Sequence, residues 1–140
     1  MMTETASRGQ LAAAISNAIV RIHSKHYGKG PTKAKTYLID DSVVCVMQDV
    51  FTTVERTLID QGKGDLVREV RTTFQYTMRH EFIEAIETIV GRPTRAFMSQ
   101  IDCGADIAIE FFLLANGDVT DLTRDNGSAP ARSAVEGGLD

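Results

Sequence analysis

Two stretches of the chain read alike, GKGPTKA at residues 28–34 and GRPTRA at residues 91–96. Each follows an amphipathic segment and leads into two short apolar segments, which are separated by Ile-Asp at residues 39–40 and 101–102. The spacing between the two prolines equals the spacing between the two aspartates. A repeat of this kind predicts a duplicated unit of one helix and one β-hairpin, and it suggests the architecture before any single residue is interpreted.

Apolar residues at helical spacing predict a first helix over about residues 8–27, which Gly28 and Pro31 would end. A short helix is predicted over residues 49–62, where Thr52 and Glu55 match a capping box and Asp49 is an alternative N-cap. The longest helix is predicted from an N-cap at Asp65 to about residue 90. Its apolar stripe comprises Leu66, Val70, Phe74, Met78, Phe82, Ala85 and Ile89.

Four strands are predicted over residues 33–39, 42–48, 95–101 and 107–114, so the element order is α-β-β-α-α-β-β. This order favours a two-layer α+β domain, in which a four-stranded antiparallel sheet carries the first and the long helices on one face. The two repeats would be related by a pseudo-twofold axis. The opposite face is expected to stay apolar, through Val44, Val46, Ala108, Phe112 and Leu114. A second copy of the chain or another partner would cover it, which predicts a homo-oligomer.

Length and composition limit the class of protein. The 140 residues, 43% of them apolar, fit one domain over residues 8–115. Residues 1–7 are expected to be flexible, and residues 116–140 to form a disordered acidic tail. No apolar run approaches the ~18 residues that cross a bilayer, and no signal peptide is recognisable, so direct membrane insertion is not expected and a cytoplasmic location is. A net charge of -4 argues against nucleic-acid binding.

Basic residues flank both Pro-Thr turns, and a symmetric arrangement of the repeats would bring them together. The resulting anion-binding patch would comprise Lys29, Gly30, Thr32, Lys33, Lys35, Arg92 and Arg95. Backbone amides at Gly30 or Thr32 would assist the cationic side chains. The alternative interpretation is a solvated surface beside helix C-termini, where lysine and arginine are common.

Other polar residues predict no reaction. His23 and His26 share a helix face but lack further ligands nearby, so they are interpreted as surface residues and no metal site is expected. Glu110 stands in an apolar strand and needs a partner or an exposed edge; an arginine across an interface is one candidate. Cys45 is interpreted as a buried, inert thiol. The sequence contains no nucleotide-binding motif, no CxxC pair and no Ser-His-Asp arrangement, so neither a cofactor nor an enzymatic activity is expected.

Several segments resemble one small bacterial family. They are ISNAIVRIH (15–23), YGKGPTKAK (27–35), VVCV (43–46), ERTL (55–58), REVR (68–71), Phe74, MR (78–79) and EF (81–82). Over about residues 8–115 the chain is similar to the MpsC-type domain, formerly a domain of unknown function, and YGKGPTKAK is the most specific element. The family takes its name from a Na⁺-translocating, membrane-potential-generating system.

The resemblance implies a soluble accessory subunit rather than the transporter itself. The namesake systems pair membrane subunits with small soluble ones, and related membrane pairs are linked to inorganic carbon uptake. The family supplies no established catalytic residues, so none is assigned here. Two hypotheses follow: a non-enzymatic accessory or regulatory subunit that docks on membrane transport subunits, or a sensor that binds a small anion at the basic patch.

Overall fold

A computed structural model of the protein describes residues 7–116. Within this range the elements are α1 (Arg8–Tyr27), β1 (Lys33–Ile39), β2 (Ser42–Gln48), α2 (Thr53–Asp60), α3 (Gly64–Val90), β3 (Thr94–Asp102) and β4 (Ile107–Leu114). The expected flexible N-terminus and acidic tail fall almost entirely on residues 1–6 and 117–140, outside the described range. Ser7, expected in the flexible N-terminus, caps α1 together with Gln10.

The predicted α+β class is confirmed. The four strands form one antiparallel sheet in the order β1-β2-β4-β3, so β2 and β4 are central and each hairpin contributes one edge strand. The helices cover one face, where α1 packs on β1 and α3 packs on β3. Each hairpin follows a helix that ends at a left-handed glycine, Gly28 or Gly91. That the two halves arose by duplication stays a prediction.

Local signals explain most of the helix boundaries. Gly28 and Gly91 have φ values of 77° and 73°, a region that glycine adopts without the strain of a Cβ. The capping box at Thr52 and Glu55 is confirmed, with both reciprocal hydrogen bonds present. The predicted N-cap at Asp65 is wrong, because α3 begins one residue earlier and Asp65 lies in its first turn.

The buried stripe of α3 differs from the predicted one in its first half. Leu66 and Val70 are 45% and 53% exposed, whereas Val67, Arg71 and Gln75 are buried. From Met78 onward the prediction holds, since Met78 and Phe82 lie in the core. The first half of the helix is therefore oriented by polar contacts of Arg71 and Gln75 rather than by its apolar periodicity.

The strand register assigns side chains to the two faces of the sheet. On the face under the helices, Val43, Cys45 and Met47 of β2 lie opposite Phe112, Glu110 and Ala108 of β4. The expectation that Ala108, Phe112 and Leu114 lie on the uncovered face is wrong, because β4 is staggered so that its even-numbered residues point toward the helices. Val44 and Val46 do lie on the uncovered side.

We call that uncovered side the open face. Successive residues of a strand alternate between faces, and the odd-numbered residues of β1 and β4 pair with the even-numbered residues of β2 and β3. The open face therefore consists of Lys33, Lys35, Tyr37, Ile39, Ser42, Val44, Val46, Gln48, Ala96, Met98, Gln100, Asp102, Ile107, Ile109, Phe111 and Leu113.

Candidate functional site

The first Pro-Thr turn is built around a lysine that points back into the protein. Lys29 Nζ donates a hydrogen bond of 2.6 Å to the backbone oxygen of Asp49 and lies 3.7 Å from a carboxylate oxygen of the same residue. Gly30 passes so close to α1 that an added Cβ would lie 2.3 Å from Ser24 Oγ. Thr32 N donates to the backbone oxygen of Gln48 at 3.1 Å. Lys29 and Gly30 thus have structural roles, and an anion would compete with Asp49 for Lys29.

Three of the predicted anion-binding residues do come together. Thr32, Lys33 and Lys35 line a shallow groove of about 440 Å³ on the open face, together with Tyr37 and Gln48. Both lysines are exposed, and Lys35 Nζ lies 5.3 Å from the centre of the Tyr37 ring. This groove has the cationic groups and the hydroxyl that a small anion would require.

The second Pro-Thr turn is held by an arginine with several partners. Arg92 Nε donates to the backbone oxygen of Ala115 at 2.9 Å, and Arg92 Nη2 donates to Asp41 Oδ1 at 2.9 Å and to Asn116 Oδ1 at 3.2 Å. The guanidinium group therefore joins the end of β4 to the turn between β1 and β2. Arg95 is exposed and lies in the β-bulge of β3, between Thr94 and Ala96.

The two turns lie at opposite ends of the sheet. One row of paired residues runs from Lys33 through Gln48 and Ile107 to Asp102 at one end, while Thr94 pairs with Leu114 at the other end. Because the central strands β2 and β4 are antiparallel, the two hairpins point in opposite directions. The predicted patch therefore divides into two groups, Lys29 to Lys35 and Arg92 with Arg95. Binding of an anion at either group stays a prediction.

The centre of the domain contains an acid–base pair that is sealed from solvent. His23 Nε2 lies 3.0 Å from Glu110 Oε2, and the two side chains are 1% and 0% exposed. His23 belongs to the inward side of α1, next to Ile19 and Ile22, and Glu110 to the helix-facing side of β4. The interpretation of His23 as a surface residue is therefore wrong. The partner of Glu110 is a histidine of the same chain rather than an arginine across an interface.

A buried ion pair between Arg71 and Glu55 links α2 to α3. Arg71 Nε and Nη2 each donate to Glu55 at 2.7 Å, and Nη2 also donates to the backbone oxygen of Val50 at 3.0 Å. The guanidinium carbon lies 3.8 Å from the centre of the Tyr27 ring. Burial alone would raise the pKa of Glu55, but hydrogen bonds from Arg71 and Thr52 outweigh it and hold that pKa below its usual value. The bidentate geometry therefore keeps a charged pair stable inside the protein.

Two other buried groups resist ionisation. Burial raises the pKa of Tyr27 to about 12, although the positive charge of Arg71 opposes the shift. Burial likewise raises the pKa of the Cys45 thiol to about 11, with partial opposition from its hydrogen bond to Thr36. Cys45 is buried and free, and such a high pKa leaves little reactive thiolate at neutral pH, as the sequence predicts.

Several buried polar atoms beside these pairs have no hydrogen-bond partner within the described residues. They are Glu110 Oε1, Ser99 Oγ, Gln75 Oε1 and Arg71 Nη1. Ser99 lies directly opposite Glu110 on the neighbouring strand, and Gln75 Nε2 donates to Tyr27 at 3.3 Å. Such groups are costly to bury, so this polar cluster lowers the stability that the surrounding apolar core provides.

The remaining histidines lie nearer the surface. His26 Nε2 is 2.7 Å from Glu81 Oε1, and Lys25 donates to the other oxygen of the same carboxylate at 3.0 Å. These hydrogen bonds, from His26 first and then Lys25, lower the pKa of Glu81. Between residues 7 and 116, His, Cys, Asp and Glu side chains form no group of three suited to a metal ion. Among the helices of that same range, none is long and apolar enough to cross a bilayer.

Sequence reasoning missed both buried side-chain pairs, and only the pair of His23 and Glu110 leaves a signal in the sequence. Glu110 interrupts an otherwise apolar strand, and His23 follows the apolar positions Ile15, Ile19 and Ile22 around α1. A lone acid and a lone histidine on two predicted core faces are a reason to pair them. The pairing of Glu55 with Arg71 has no comparable signal, because both residues suit an exposed helix.

These features define a class: a two-layer α+β domain with an open four-stranded sheet and a charged core. The chain belongs to the MpsC family, since the family model described as "Na+-translocating membrane potential-generating system (MpsC)" matches residues 7–116. The resemblance found in the sequence is thereby confirmed, and it spans the whole described domain. Neither the curated proteins nor the solved structures contain a match to the chain.

Proposed function

We propose that the chain is a non-enzymatic, cytoplasmic accessory or regulatory subunit of a membrane system that transports cations or inorganic carbon. The observation that carries this proposal is the family match over residues 7–116. The family description names a Na⁺-translocating system, and a small α+β domain would serve such a system by binding its ion-carrying subunits.

The two buried side-chain pairs support a non-enzymatic role. A general acid or base has to come within hydrogen-bond reach of its substrate. His23 and Glu110 are the pair best suited to proton transfer, and both are sealed beneath the helices. Arg71 and Glu55 already bind each other through two hydrogen bonds. These side chains contact each other inside the domain rather than face a substrate.

The outer side of α3 is the surface that we propose for contact with a transport subunit. Leu66 and Val70 lie one turn apart on this helix and are both about half exposed. Two neighbouring aliphatic side chains in this position suit the groove of a partner protein, since apolar anchors contribute most of the binding energy of such contacts. Tyr76 is also exposed but lies on a different side of α3.

The test uses inverted membrane vesicles from cells that make this protein naturally and from cells whose gene for it is deleted. We expect the deletion to lower Na⁺-dependent membrane potential, and the purified wild-type chain to restore it. The double variant Leu66→Glu/Val70→Glu should fail to restore it, whereas Tyr76→Glu, with one exposed apolar side chain removed elsewhere, should succeed. Unchanged Na⁺ movement and membrane potential in the deletion vesicles would contradict the proposal.

The groove at Thr32, Lys33 and Lys35 supports a second candidate function, a sensor for a small anion. Inorganic phosphate and bicarbonate are the probes, and thermal unfolding is the measurement. An anion present at 100 times its Kd stabilises the folded protein by about 2.7 kcal/mol. The double variant Lys33→Gln/Lys35→Gln should lose that stabilisation, and Arg21→Gln/Lys63→Gln, which removes two cations elsewhere, should keep it. No stabilisation by either anion would exclude these two ligands.

A further inference from the structure

The open face has an apolar centre and charges confined to one end. Val44 and Val46 of β2 lie beside Phe111 and Ile109 of β4 in its middle, and Ile109 is 37% exposed. Tyr37, Ile39 and Met98 on the two edge strands are exposed as well. Neighbouring exposed apolar side chains on one sheet face are a feature of protein–protein interfaces.

The charges of the open face are placed asymmetrically. Lys33 and Lys35 lie on the edge strand β1, and Asp102 lies on the opposite edge strand β3. Lys33 and Asp102 occupy the same row of paired residues, which Gln48 and Ile107 complete. One end of the sheet thus has a positive edge and a negative edge, with apolar side chains between them.

We infer that two copies of the chain pack open face to open face, about a twofold axis parallel to the central strands. Rotation about such an axis exchanges the two edges of the sheet but keeps each end in place. Lys33 of one copy therefore comes over the partner's Asp102, and the contact occurs twice. Two sheets with nearly aligned strands form a sandwich, and a closed twofold dimer is the commonest assembly of identical chains.

The apolar rows match under the same rotation. Tyr37 comes over the partner's Met98, which brings an aromatic ring to a thioether, a favourable contact. Val44 comes over the partner's Phe111. A twofold axis that lies in the interface plane but runs perpendicular to the strands would instead pack β1 against the partner's β1. It would place Lys33 over the partner's Ile39. Lys33 would then be buried against an aliphatic side chain without a partner, so the pairing of Lys33 with Asp102 favours the parallel axis, in which Lys35 comes over the partner's Gln100.

The dimer does not depend on the transport proposal, because it follows from the sheet alone. It does compete with the anion sensor, since the partner would cover the groove at Lys33 and Lys35. A free groove and a dimer cannot coexist on one chain.

Sedimentation of the full chain over a series of micromolar concentrations tests the inference. We expect the wild type to sediment at twice the 15.3 kDa mass of one chain. Ile109→Lys places a charge at the centre of the face and should weaken the dimer at least ~100-fold, because a desolvated charge has no partner there. Val54→Lys is the matched control: Val54 is 69% exposed on α2, away from the sheet, and the variant should remain dimeric.

A charge exchange tests the orientation of the two copies. Lys33→Asp and Asp102→Lys should each weaken the homodimer roughly tenfold, since two rim contacts become repulsive. A mixture of the two variants restores an attractive pair at both positions, so it should form a heterodimer as tight as the wild-type dimer. Circular dichroism of each variant confirms that it is folded.

Three outcomes overturn the inference. If the wild-type chain is monomeric at every concentration, a second copy does not cover the open face. A dimer that Ile109→Lys leaves intact has its interface elsewhere. A dimer that Ile109→Lys abolishes but the charge exchange does not affect uses another axis.

Discussion

Both faces of the sheet carry apolar and polar side chains, but they place them differently. Under the helices, Glu110 and Thr36 are buried among apolar residues such as Phe112. On the open face lie Phe111 and Ile109, directly beside Glu110 in the chain. Whether a residue is buried therefore depends on which face of the sheet it occupies as well as on its hydrophobicity. The polar groups on the covered face are stabilised by specific partners, while the apolar groups on the open face are available for a contact.

The largest effect is expected from breaking the buried ion pair on the covered side. Glu55→Ala leaves the charge of Arg71 buried without its acceptor, which should lower the free energy of unfolding by about 3–5 kcal/mol. Urea unfolding measures the loss. Glu84→Ala, which removes an exposed carboxylate, should change stability by no more than about 0.5 kcal/mol. Adding Arg71→Met to Glu55→Ala should recover part of the loss, and a further loss instead would contradict this account.

A smaller effect is expected at the pair between helix and sheet. Glu110→Leu and His23→Leu each leave one buried polar group without its partner, at a cost of about 1–3 kcal/mol. The double variant His23→Leu/Glu110→Leu should cost less than the sum of the single variants, because it leaves neither group unpaired. Denaturant unfolding of the four proteins gives the coupling energy. Strictly additive losses would mean that the 3.0 Å contact does not stabilise the core.

Alkaline pH should lower the free energy of unfolding, because Cys45 is buried on the covered face and resists ionisation there. The pKa of this thiol is raised from 9.0 to about 11, so its contribution is complete below pH 9 and is lost as the pH rises toward 11. At pH 10 the expected loss is about 1.4 kcal/mol, because the unfolded thiol ionises while the folded one stays protonated. Tyr27, with its pKa raised from 10.0 to about 12, should add to the decline from pH 10 upward.

The free energy of unfolding is measured at several pH values between 8 and 10. The slope of this free energy against pH reports the contribution of the Cys45 thiol. Cys45→Ala should reduce the decrease in the free energy of unfolding with pH. The packing that this variant loses costs the same at every pH, so it does not affect the slope. Cys103→Ala, which removes the other free thiol, is the matched control variant. Equal slopes for wild type and Cys45→Ala would rule out the thiol as the source of the decline.

The smallest effect is expected on the open face. Met98→Gln replaces an exposed apolar side chain and should change the unfolding free energy of the monomer by no more than about 0.5 kcal/mol. Phe97, its neighbour in β3, points to the other face and stacks on Phe82, so Phe97→Ala should cost about 3–5 kcal/mol. Both are measured at protein concentrations where the chain is monomeric. Similar losses at the two positions would show that the open face also stabilises the isolated chain.

Local chemistry explains what the sequence could predict of the fold. Gly28 and Gly91 end helices because of their own backbone freedom, and Thr52 with Glu55 marks a helix start within four residues. Such signals act over short distances, so the element order and the α+β class followed from them. The N-cap of α3 did not, because Lys63 occupies it without a side-chain hydrogen bond.

The candidate sites were less predictable because they depend on register and on tertiary partners. Thr32, Lys33 and Lys35 are neighbours along the chain, and the structure keeps them together. Joining them to Arg92 required knowledge of how the hairpins pair, which the repeat alone does not contain. Arg71 is buried only because Glu55 of another helix binds it, so no periodicity in α3 identifies it.

The contacts of Arg92 fix the position of the last residues that the structure describes. By binding Ala115, Asn116 and Asp41 at once, this arginine fixes the last described residue beside the turn between β1 and β2. That turn is at the end of the sheet farthest from Lys33. A label on the side chain at position 116 would therefore lie at the end of the sheet opposite the basic groove. Distance measurements from such a label to Lys33 would report the length of the sheet.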